Sequence, residues 1–188
     1  MSVVEYGNAL RVQKSPIDGL LVIDLPVHGD NRGWFKENWQ QEKVSNAGMP
    51  AFVPVQNNVS FNATAGTTRG IHAEPWDKYV SVAHGEFFGA WVDLRQGPDF
   101  GKSFTLKVDA GQAVFVPRGV GNSYQTLVDN TAYTYLVNDH WHPDAKYTFL
   151  NLADPTIAIA WPIDLSLAEL SEKDRGHPYL SSVTPFGR

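Results

Sequence analysis

A chain of 188 residues with 43% hydrophobic and 12% aromatic content is long and apolar enough to bury the core of one domain. The formal net charge of -5 at pH 7 disfavours nucleic acid or an anionic membrane as a partner. Cysteine is absent, which excludes disulfides, a thiolate nucleophile and thiolate metal ligands. The sequence contains neither a signal peptide nor a run of 18 apolar residues, so we expect a cytoplasmic protein.

Short runs of β-branched and aromatic residues predict strands, in chain order, at 20–25, 79–83, 86–94, 103–108, 113–116 and 131–137. Turn-forming residues separate these runs at the spacing of an antiparallel sandwich or barrel. Helical patterning is limited to 39–47, which Gly48 ends, and to 165–173. We therefore predict an all-β fold with a few short peripheral helices, in which 1–180 form a single domain. Residues 181–188 are expected to be a frayed tail or a linker.

Two motifs of fixed spacing indicate which kind of all-β fold the chain adopts. The first consists, in order, of Gly66, His72, Glu74, Lys78 and Gly85. The second consists of Gly111, Pro117 and Gly119, followed by Asn122. Their spacing resembles that of the cupins, whose fold is a jelly-roll barrel. Metal-binding cupins carry ligands at the positions of His72, Glu74, Lys78 and Asn122. An ammonium has no lone pair to donate and would repel a divalent cation, so Lys78 leads us to predict no metal.

A longer series of colinear matches resembles the dTDP-4-dehydrorhamnose 3,5-epimerases. The central matches are Arg69-Gly70-Ile71-His72, Lys78-Tyr79-Val80, Gly85 and Val92-Asp93-Leu94-Arg95, and further matches flank them at 30–37, 56–60 and 170–174. The resemblance extends over residues 17–180. It implies an isomerase that converts dTDP-4-dehydro-6-deoxy-D-glucose to dTDP-4-dehydro-L-rhamnose, in dTDP-L-rhamnose biosynthesis. Both C3 and C5 would be inverted beside the C4 ketone, and no cofactor would be required.

The resemblance also implies roles for individual residues. His72 corresponds to the general base, Asp174 to the carboxylate that orients its imidazole, and Lys78 to the cation that stabilises charge on the ketone oxygen. Imidazole suits proton transfer because its unperturbed pKa lies near neutrality. Tyr135 corresponds to the acid on the opposite face, and we expect a neighbouring charge to lower its pKa. The implied substrate-binding residues are Arg32, Glu37, Gln56, Asn58, Arg69, Asn122, Trp141 and Lys173.

Some positions depart from the family pattern. The family's second His and Asp pair is replaced by Asn122 and Gly89, and a tyrosine that packs on the ligand is replaced by Trp141. The departures resemble the epimerase half of fusions with a dTDP-4-dehydrorhamnose reductase, which implies a fused or associated reductase. No glycine-rich dinucleotide motif occurs in the sequence itself. The resemblance further implies a homodimer in which strands of one subunit complete the neighbour's site.

Alternative functions remain open at this point. They are an epimerase of one carbon only, a non-catalytic sugar-nucleotide-binding cupin that partners a reductase, and a metal-dependent cupin oxygenase. Taken singly, the candidate residues also have ordinary structural interpretations, namely strand packing for Tyr135, a solvated salt bridge for Asp174 and an exposed edge charge for Lys78. Their occurrence together favours the catalytic interpretation.

Overall fold

The computed structural model describes residues 4–6 and 9–187. Its strands are β1 Val4–Tyr6, β2 Arg11–Lys14, β3 Leu21–Asp24, β4 Val27–Asp30, β5 Gly33–Phe35, β6 Gln56–Asn62, β7 Thr68–Ala73, β8 Lys78–His84, β9 Phe87–Asp93, β10 Ser103–Val108, β11 Gln112–Val116, β12 Val120–Thr126, β13 Thr131–Val137 and β14 Thr148–Phe149. The helices are α1 Gln41–Asn46, α2 Glu172–Arg175 and a 3₁₀ helix at Leu180–Ser182. The prediction of an all-β fold with short peripheral helices is confirmed.

Two antiparallel sheets form the body of the domain. One has six strands in the order β2-β3-β11-β8-β13-β6, and the other has five in the order β10-β9-β12-β7-β14. A separate three-stranded sheet, β1-β4-β5, contains the short hairpin that ends at Phe35. This order of strands is that of a jelly roll, in which neighbouring strands in a sheet are mostly distant in sequence.

Alternation along the strands divides the side chains among three cores. Val80 and Val82 of β8 point between the two sheets, where they pack in one cluster with residues of β9, β11, β12 and β13. Tyr79, on the other face of β8, packs with Val44 of α1 in a second cluster. Ile71 of β7 belongs to a third cluster, which the carboxy-terminal part of the chain covers. Both faces of the large sheets are therefore buried over much of their area.

The helix predicted at 39–47 is present as α1, whose first turn Gln40 caps by accepting a hydrogen bond from the backbone N–H of Lys43. The helix predicted at 165–173 is wrong for most of its length, because α2 begins only at Glu172. The backbone of Glu169 pairs instead with the start of β7, and Ser171 then caps α2. Within residues 4–6 and 9–187, no helix is long and apolar enough to cross a membrane.

The segment after residue 180 packs against the domain. Leu180 and Val183 contact the third core cluster, and Phe186 forms a backbone bridge with Arg95. This differs from our expectation of a frayed tail, because apolar side chains at 180, 183 and 186 find partners on the barrel. The boundary at residue 180 remains a prediction.

Candidate active site

A cavity of about 220 Å³ opens at one end of the space between the two large sheets. It is lined by Ser60, Arg69, Gly70, His72, Glu74, Lys78, Asn122, Tyr124, Tyr133 and Tyr135. Strands β6, β7, β8, β12 and β13 contribute all of these except Glu74, which lies in the connection between β7 and β8. Polar residues therefore occupy the inward positions at this end of the barrel, whereas mostly apolar residues occupy the inward positions deeper in the barrel.

A bulge in β7 brings Arg69 and His72 to the same side of the sheet. Asn122 pairs with His72, and Tyr124 pairs with Arg69, so between these pairs one residue of β12 lies opposite two of β7. Without this register shift, residues three positions apart on a strand would point to opposite faces. The bulge thus places a guanidinium and an imidazole in one cavity.

His72 is held by Asp174, with its Nε2 2.8 Å from Oδ1 of the carboxylate. His177 contacts the same oxygen through its own Nε2, at 3.1 Å. A carboxylate only accepts, so the neutral ring of His72 carries its proton on Nε2 and keeps a lone pair on Nδ1. Burial alone would raise the pKa of Asp174, but its hydrogen bonds, above all with His72, lower it on balance. Burial, assisted by His72, lowers the pKa of His177.

Lys78 is buried within the cavity wall and forms an ion pair with Glu74, Nζ to Oε1, at 2.6 Å. The indole N–H of Trp76 donates to the other carboxylate oxygen of Glu74. The same ammonium lies 5.0 Å from the ring centroid of Tyr135, close enough for a cation–π interaction. The cavity therefore contains a cation whose charge is balanced by one fixed carboxylate.

Tyr135 does not have the lowered pKa that we expected. Burial raises the pKa of its phenol to about 12, the charge of Glu74 adds to the increase, and Arg69 opposes it. The expectation was wrong because the phenol lies in a desolvated wall beside a carboxylate, and both disfavour the phenolate. Tyr135 consequently stays protonated at neutral pH and has a proton to give.

The far wall of the cavity is a hydrogen-bonded group around Tyr124. Its hydroxyl lies 3.0 Å from Oγ of Ser60 and 3.2 Å from Oδ1 of Asn62. Nε of Arg69 donates to the same oxygen of Asn62 at 3.3 Å. Tyr124 also stacks on Tyr133, with ring centroids 4.0 Å apart. Arg69 is thereby anchored to this wall through Asn62, and its guanidinium lines the cavity.

Three of the predicted binding residues form a chain along β6 and the loop after β13. The side chain of Gln56 donates to Asn58 at 2.9 Å and accepts from the backbone N–H of Trp141 at 3.1 Å. Gln56, Asn58 and Ser60 are each two residues apart, so they lie on the same face of β6. Gln56 and Asn58 therefore extend the cavity-facing side of this strand outward from Ser60. Lys173 lies 5.2 Å above the ring of Phe149, whose edge contacts His72. The four predicted binding residues in this region do not line the cavity itself; they are Gln56, Asn58, Trp141 and Lys173.

Arg32 and Glu37 lie away from the cavity of their own chain. Arg32 occupies the turn between β4 and β5, where it pairs with Asp30 at 2.5 Å, and 85% of its side chain is exposed. Glu37 forms an ion pair with Lys43 near α1. Of the twelve predicted site residues, the cavity brings together five, namely Arg69, His72, Lys78, Asn122 and Tyr135, and Asp174 stands directly behind His72.

Sequence reasoning missed several residues of this site, namely Ser60, Glu74, Tyr124, Tyr133 and His177. Strand periodicity contained a signal for two of them, because Tyr133 and Tyr124 stand two residues from Tyr135 and Asn122. Glu74 had a signal in its spacing of four from Lys78. His177 had none, since its role depends on how the segment after α2 folds back.

His72, Asp174 and His177 are also the group whose donor atoms, all within 4.8 Å of one another, could take a divalent ion among the described residues. Two imidazoles and a carboxylate suit zinc. Their mutual hydrogen bonds account for the arrangement without an ion. At two of the four cupin ligand positions, Lys78 and Glu74 form an ion pair with each other.

Fold and cavity together define a jelly-roll barrel with acid–base residues at its open end, the arrangement of a cupin-type isomerase. The sequence profile of dTDP-4-dehydrorhamnose 3,5-epimerase matches residues 14–182. The chain belongs to the dTDP-4-dehydrorhamnose 3,5-epimerase family, and the resemblance found in its motifs is confirmed.

Individual relatives agree with this assignment. A Streptococcus pyogenes protein described as an RmlC homologue is 52% identical over 177 residues, which are 90% of this chain and 89% of that protein. The structure of RmlC from Streptococcus suis in complex with dTDP-D-xylose is 50% identical, with a TM-score of 0.91 and 96% of both chains covered. ChmJ, a 3'-monoepimerase from Streptomyces bikiniensis in complex with dTDP-quinovose, is 28% identical, with a TM-score of 0.81, over 90% of this chain and 87% of its own.

Proposed function

We propose that this protein converts dTDP-4-dehydro-6-deoxy-D-glucose to dTDP-4-dehydro-L-rhamnose by inverting C3 and C5, in dTDP-L-rhamnose biosynthesis. One observation carries the proposal: an imidazole, an ammonium and a phenol, from His72, Lys78 and Tyr135, line the same cavity. These are a base, a charge stabiliser and an acid, the three groups that epimerisation beside a ketone requires.

His72 removes the proton from the carbon next to the ketone. The resulting imidazolium is stabilised by Asp174, whose carboxylate accepts a hydrogen bond from Nε2 at 2.8 Å. The electron pair of the broken C–H bond moves toward the C4 oxygen and gives an enolate. Only hydrogens on C3 and C5 are adjacent to that ketone, which limits the reaction to those two carbons.

Lys78 stabilises the negative charge that develops on the C4 oxygen. Its ammonium is paired with Glu74 at 2.6 Å, so the ligand's oxygen shares this cation with the carboxylate. Tyr135 returns a proton to the carbon from the opposite face, and this changes the configuration. No cofactor takes part in these steps, because a proton leaves and a proton returns without any change in oxidation state.

Transfer of deuterium tests the reaction. The protein is incubated with the keto sugar nucleotide in deuterium oxide, and C3 and C5 are followed by NMR. We expect deuterium at both carbons. Incorporation at one carbon only would identify a single-carbon epimerase, as ChmJ, a 3'-monoepimerase, is described. Tight binding of thymidine diphosphate by folded protein with no incorporation would establish a non-catalytic binding cupin and overturn the proposal.

The remaining binding residues hold the nucleotide. Arg69 and Lys173 supply cationic donors for the diphosphate, and Trp141, which is 59% exposed, supplies a flat surface for stacking. Gln56 and Asn58 shape the approach to the cavity from β6. Support comes from the solved relative that holds dTDP-D-xylose.

A homodimer would bring Arg32 and Glu37 to the partner's cavity. Val59 and Phe61 of the edge strand β6 are 65% and 62% exposed, and Phe35 of β5 is 64% exposed, an apolar area that a second subunit would cover. Mixing the variants Arg32→Ala and His72→Asn tests the exchange. If residues cross between subunits, random heterodimers contain one intact site and restore about a quarter of wild-type activity. No recovery from a dimeric mixture would contradict it.

We also propose a fused or associated reductase that consumes the product, and a cytoplasmic location, without nucleic acid or membrane as partners. The single epimerase domain at 1–180, with 181–188 as a linker, remains part of this proposal. Co-purification with a dTDP-4-dehydrorhamnose reductase tests the association, and cell fractionation tests the location.

A further inference from the structure

Asn122 and Gly89 occupy the positions at which the family carries its second His and Asp pair. Trp91 lies next to both of them in the sheet. Asn122 pairs with Trp91 across β12 and β9, and Tyr124 pairs with Gly89. Gly89 and Trp91 are two residues apart on β9, so both face the interior of the barrel. On the other side of β12, Asn122 pairs with His72. A single row across the sheet therefore runs from Trp91 through Asn122 to His72.

The indole of Trp91 fixes which way the amide of Asn122 points. Its Nε1 donates to Oδ1 of Asn122 at 2.9 Å, and both residues are buried. An indole N–H can only donate, so the amide oxygen must face Trp91 and the amide nitrogen must face away. That nitrogen donates one hydrogen to the hydroxyl of Tyr133 at 3.1 Å. Its second hydrogen has no acceptor in residues 9–187, and Asn122 lines the cavity.

Gly89 is what makes room for this indole. A Cβ at position 89 would overlap Cη2 of Trp91 and lie 2.7 Å from Cζ2 and 2.9 Å from Cζ3, all in the benzene ring of the indole. The indole is also stacked on Phe104 and fully buried, so it cannot move aside. The loss of the acidic residue at 89 and the presence of tryptophan at 91 are therefore linked by space.

Resting on the proposed function, we infer that Trp91 is a positioning residue that holds the amide N–H of Asn122 toward the ligand's carbonyl oxygen. Asn122 then acts beside Lys78 as a second donor to the charge that develops on that oxygen. Neither an indole nor an amide ionises in the working pH range, so this donor is present whatever the pH. The row thus joins the titratable base, His72, to a neutral donor of fixed direction.

A double-mutant cycle tests the inference. Trp91→Phe removes the N–H and keeps an aromatic ring, and we expect kcat to fall about three- to tenfold, the range for one hydrogen bond, with KM little changed. Asn122→Ala removes the donor itself and should lower kcat about a hundredfold. If Trp91 acts through Asn122, Trp91→Phe has no further effect in the Asn122→Ala background. The same fold-loss in both backgrounds would reduce Trp91 to a packing residue and overturn the inference.

Gly89→Ala supplies a second, independent cycle. In the wild-type background the new methyl group meets the indole, and we expect lower kcat and a lower melting temperature. Phenylalanine at 91 lacks the outer ring atoms that the methyl group would contact, so Gly89→Ala should have little effect in the Trp91→Phe background. Equal damage in both backgrounds would contradict the spatial link between Gly89 and Trp91.

A measurement that needs no activity separates this inference from the proposed function. In wild-type protein the indole proton of Trp91 should exchange slowly with solvent, and in Asn122→Ala it should exchange faster because its acceptor is gone. Unchanged exchange in Asn122→Ala would overturn the inference even if the enzyme is active. Faster exchange in a protein that incorporates no deuterium into the sugar would preserve the positioning and refute the function.

Discussion

His72 and Asn122 are neighbours across β7 and β12, but the side chains behind them are of opposite kinds. Behind His72 stand Asp174 and His177, both of which titrate. Behind Asn122 stands Trp91, which does not ionise. A group that takes up a proton needs a counter-charge, whereas a group that only donates a hydrogen bond needs a fixed direction. The cavity therefore has two walls of different chemistry. The titratable wall, His72 with Asp174 and His177, can change its charge. The neutral wall, Asn122 with Trp91, holds a hydrogen-bond donor in a fixed direction.

Replacing His72 by asparagine removes the group on the titratable wall that changes charge, and the largest effect is expected here. The rate of deuterium incorporation should fall about 10²- to 10⁴-fold, because no base remains in reach of the C–H bond. NMR of the sugar in deuterium oxide measures it. Thymidine diphosphate should still bind the variant with wild-type affinity, and retention of full exchange activity would remove His72 from the mechanism.

Asp174→Asn weakens the same wall without removing the base. We expect kcat to fall about a hundredfold, since the carboxylate that stabilises the imidazolium is lost. The affinity for thymidine diphosphate should be unchanged, because Asp174 lies behind His72 and does not line the cavity. Asp164→Asn, at an exposed carboxylate remote from the cavity, is the matched control and should change neither quantity. An unchanged kcat in Asp174→Asn would contradict the orienting role.

Acidification should lower the free energy of unfolding of the protein through the residues of the titratable wall. The pKa of His177 is lowered from 6.5 in the fold, mainly by burial, so the unfolded chain binds this proton more readily. The free energy of unfolding should therefore fall as pH drops below 6.5 and through the lowered pKa of His177. The lowered pKa of Asp174 adds a further loss below 3.8.

Urea unfolding at a series of pH values measures this dependence. His177→Phe, which keeps an aromatic ring against Phe149, should remove the loss that begins near pH 6.5 and leave the one below 3.8. Trp91→Phe, on the neutral wall, should leave the shape of the whole curve unchanged. A wild-type curve that is flat between pH 6.5 and 4 would show that His177 is not held neutral.

Removal of metals should have the smallest effect, which is none. The group of His72, Asp174 and His177 could take a divalent ion by geometry, but proton transfer requires His72 to be free. Dialysis against a chelator should leave the exchange rate unchanged, and added zinc should only inhibit. A loss of activity on dialysis that zinc or iron restores would turn the site into a metal centre and favour the oxygenase alternative.

The sequence predicted the apolar strands far better than the polar ones. The runs at 103–108 and 131–137 coincide with β10 and β13, because alternating β-branched and aromatic residues are typical of strands. Strands β6, β7 and β12 were not among the predicted runs. Their asparagine and glycine residues have low strand propensity, and two of these, Gly70 and Asn122, line the cavity.

The family resemblance located the central site residues, but not how they are arranged. Alternation counted from His72 would place Arg69 on the opposite face, and only the bulge in β7 brings them together. The contact of His177 with Asp174 depends on the fold of the last segment, which no local pattern indicates. The role of Trp91 was hidden for a related reason, since a buried aromatic residue in a strand is normally only part of the core.

One side chain fastens the segment that carries Asp174. The amide of Asn151 donates to the backbone carbonyls of Arg175 and His177, both at 2.9 Å, and its oxygen accepts from the N–H of Ala153. Asn151 thus ties the segment of Asp174 and His177 to the chain just after β14, and these bonds lie outside the strand pairing of the two large sheets. Breaking these hydrogen bonds of Asn151 would therefore release the carboxylate that orients His72 without breaking any strand pairing of the barrel.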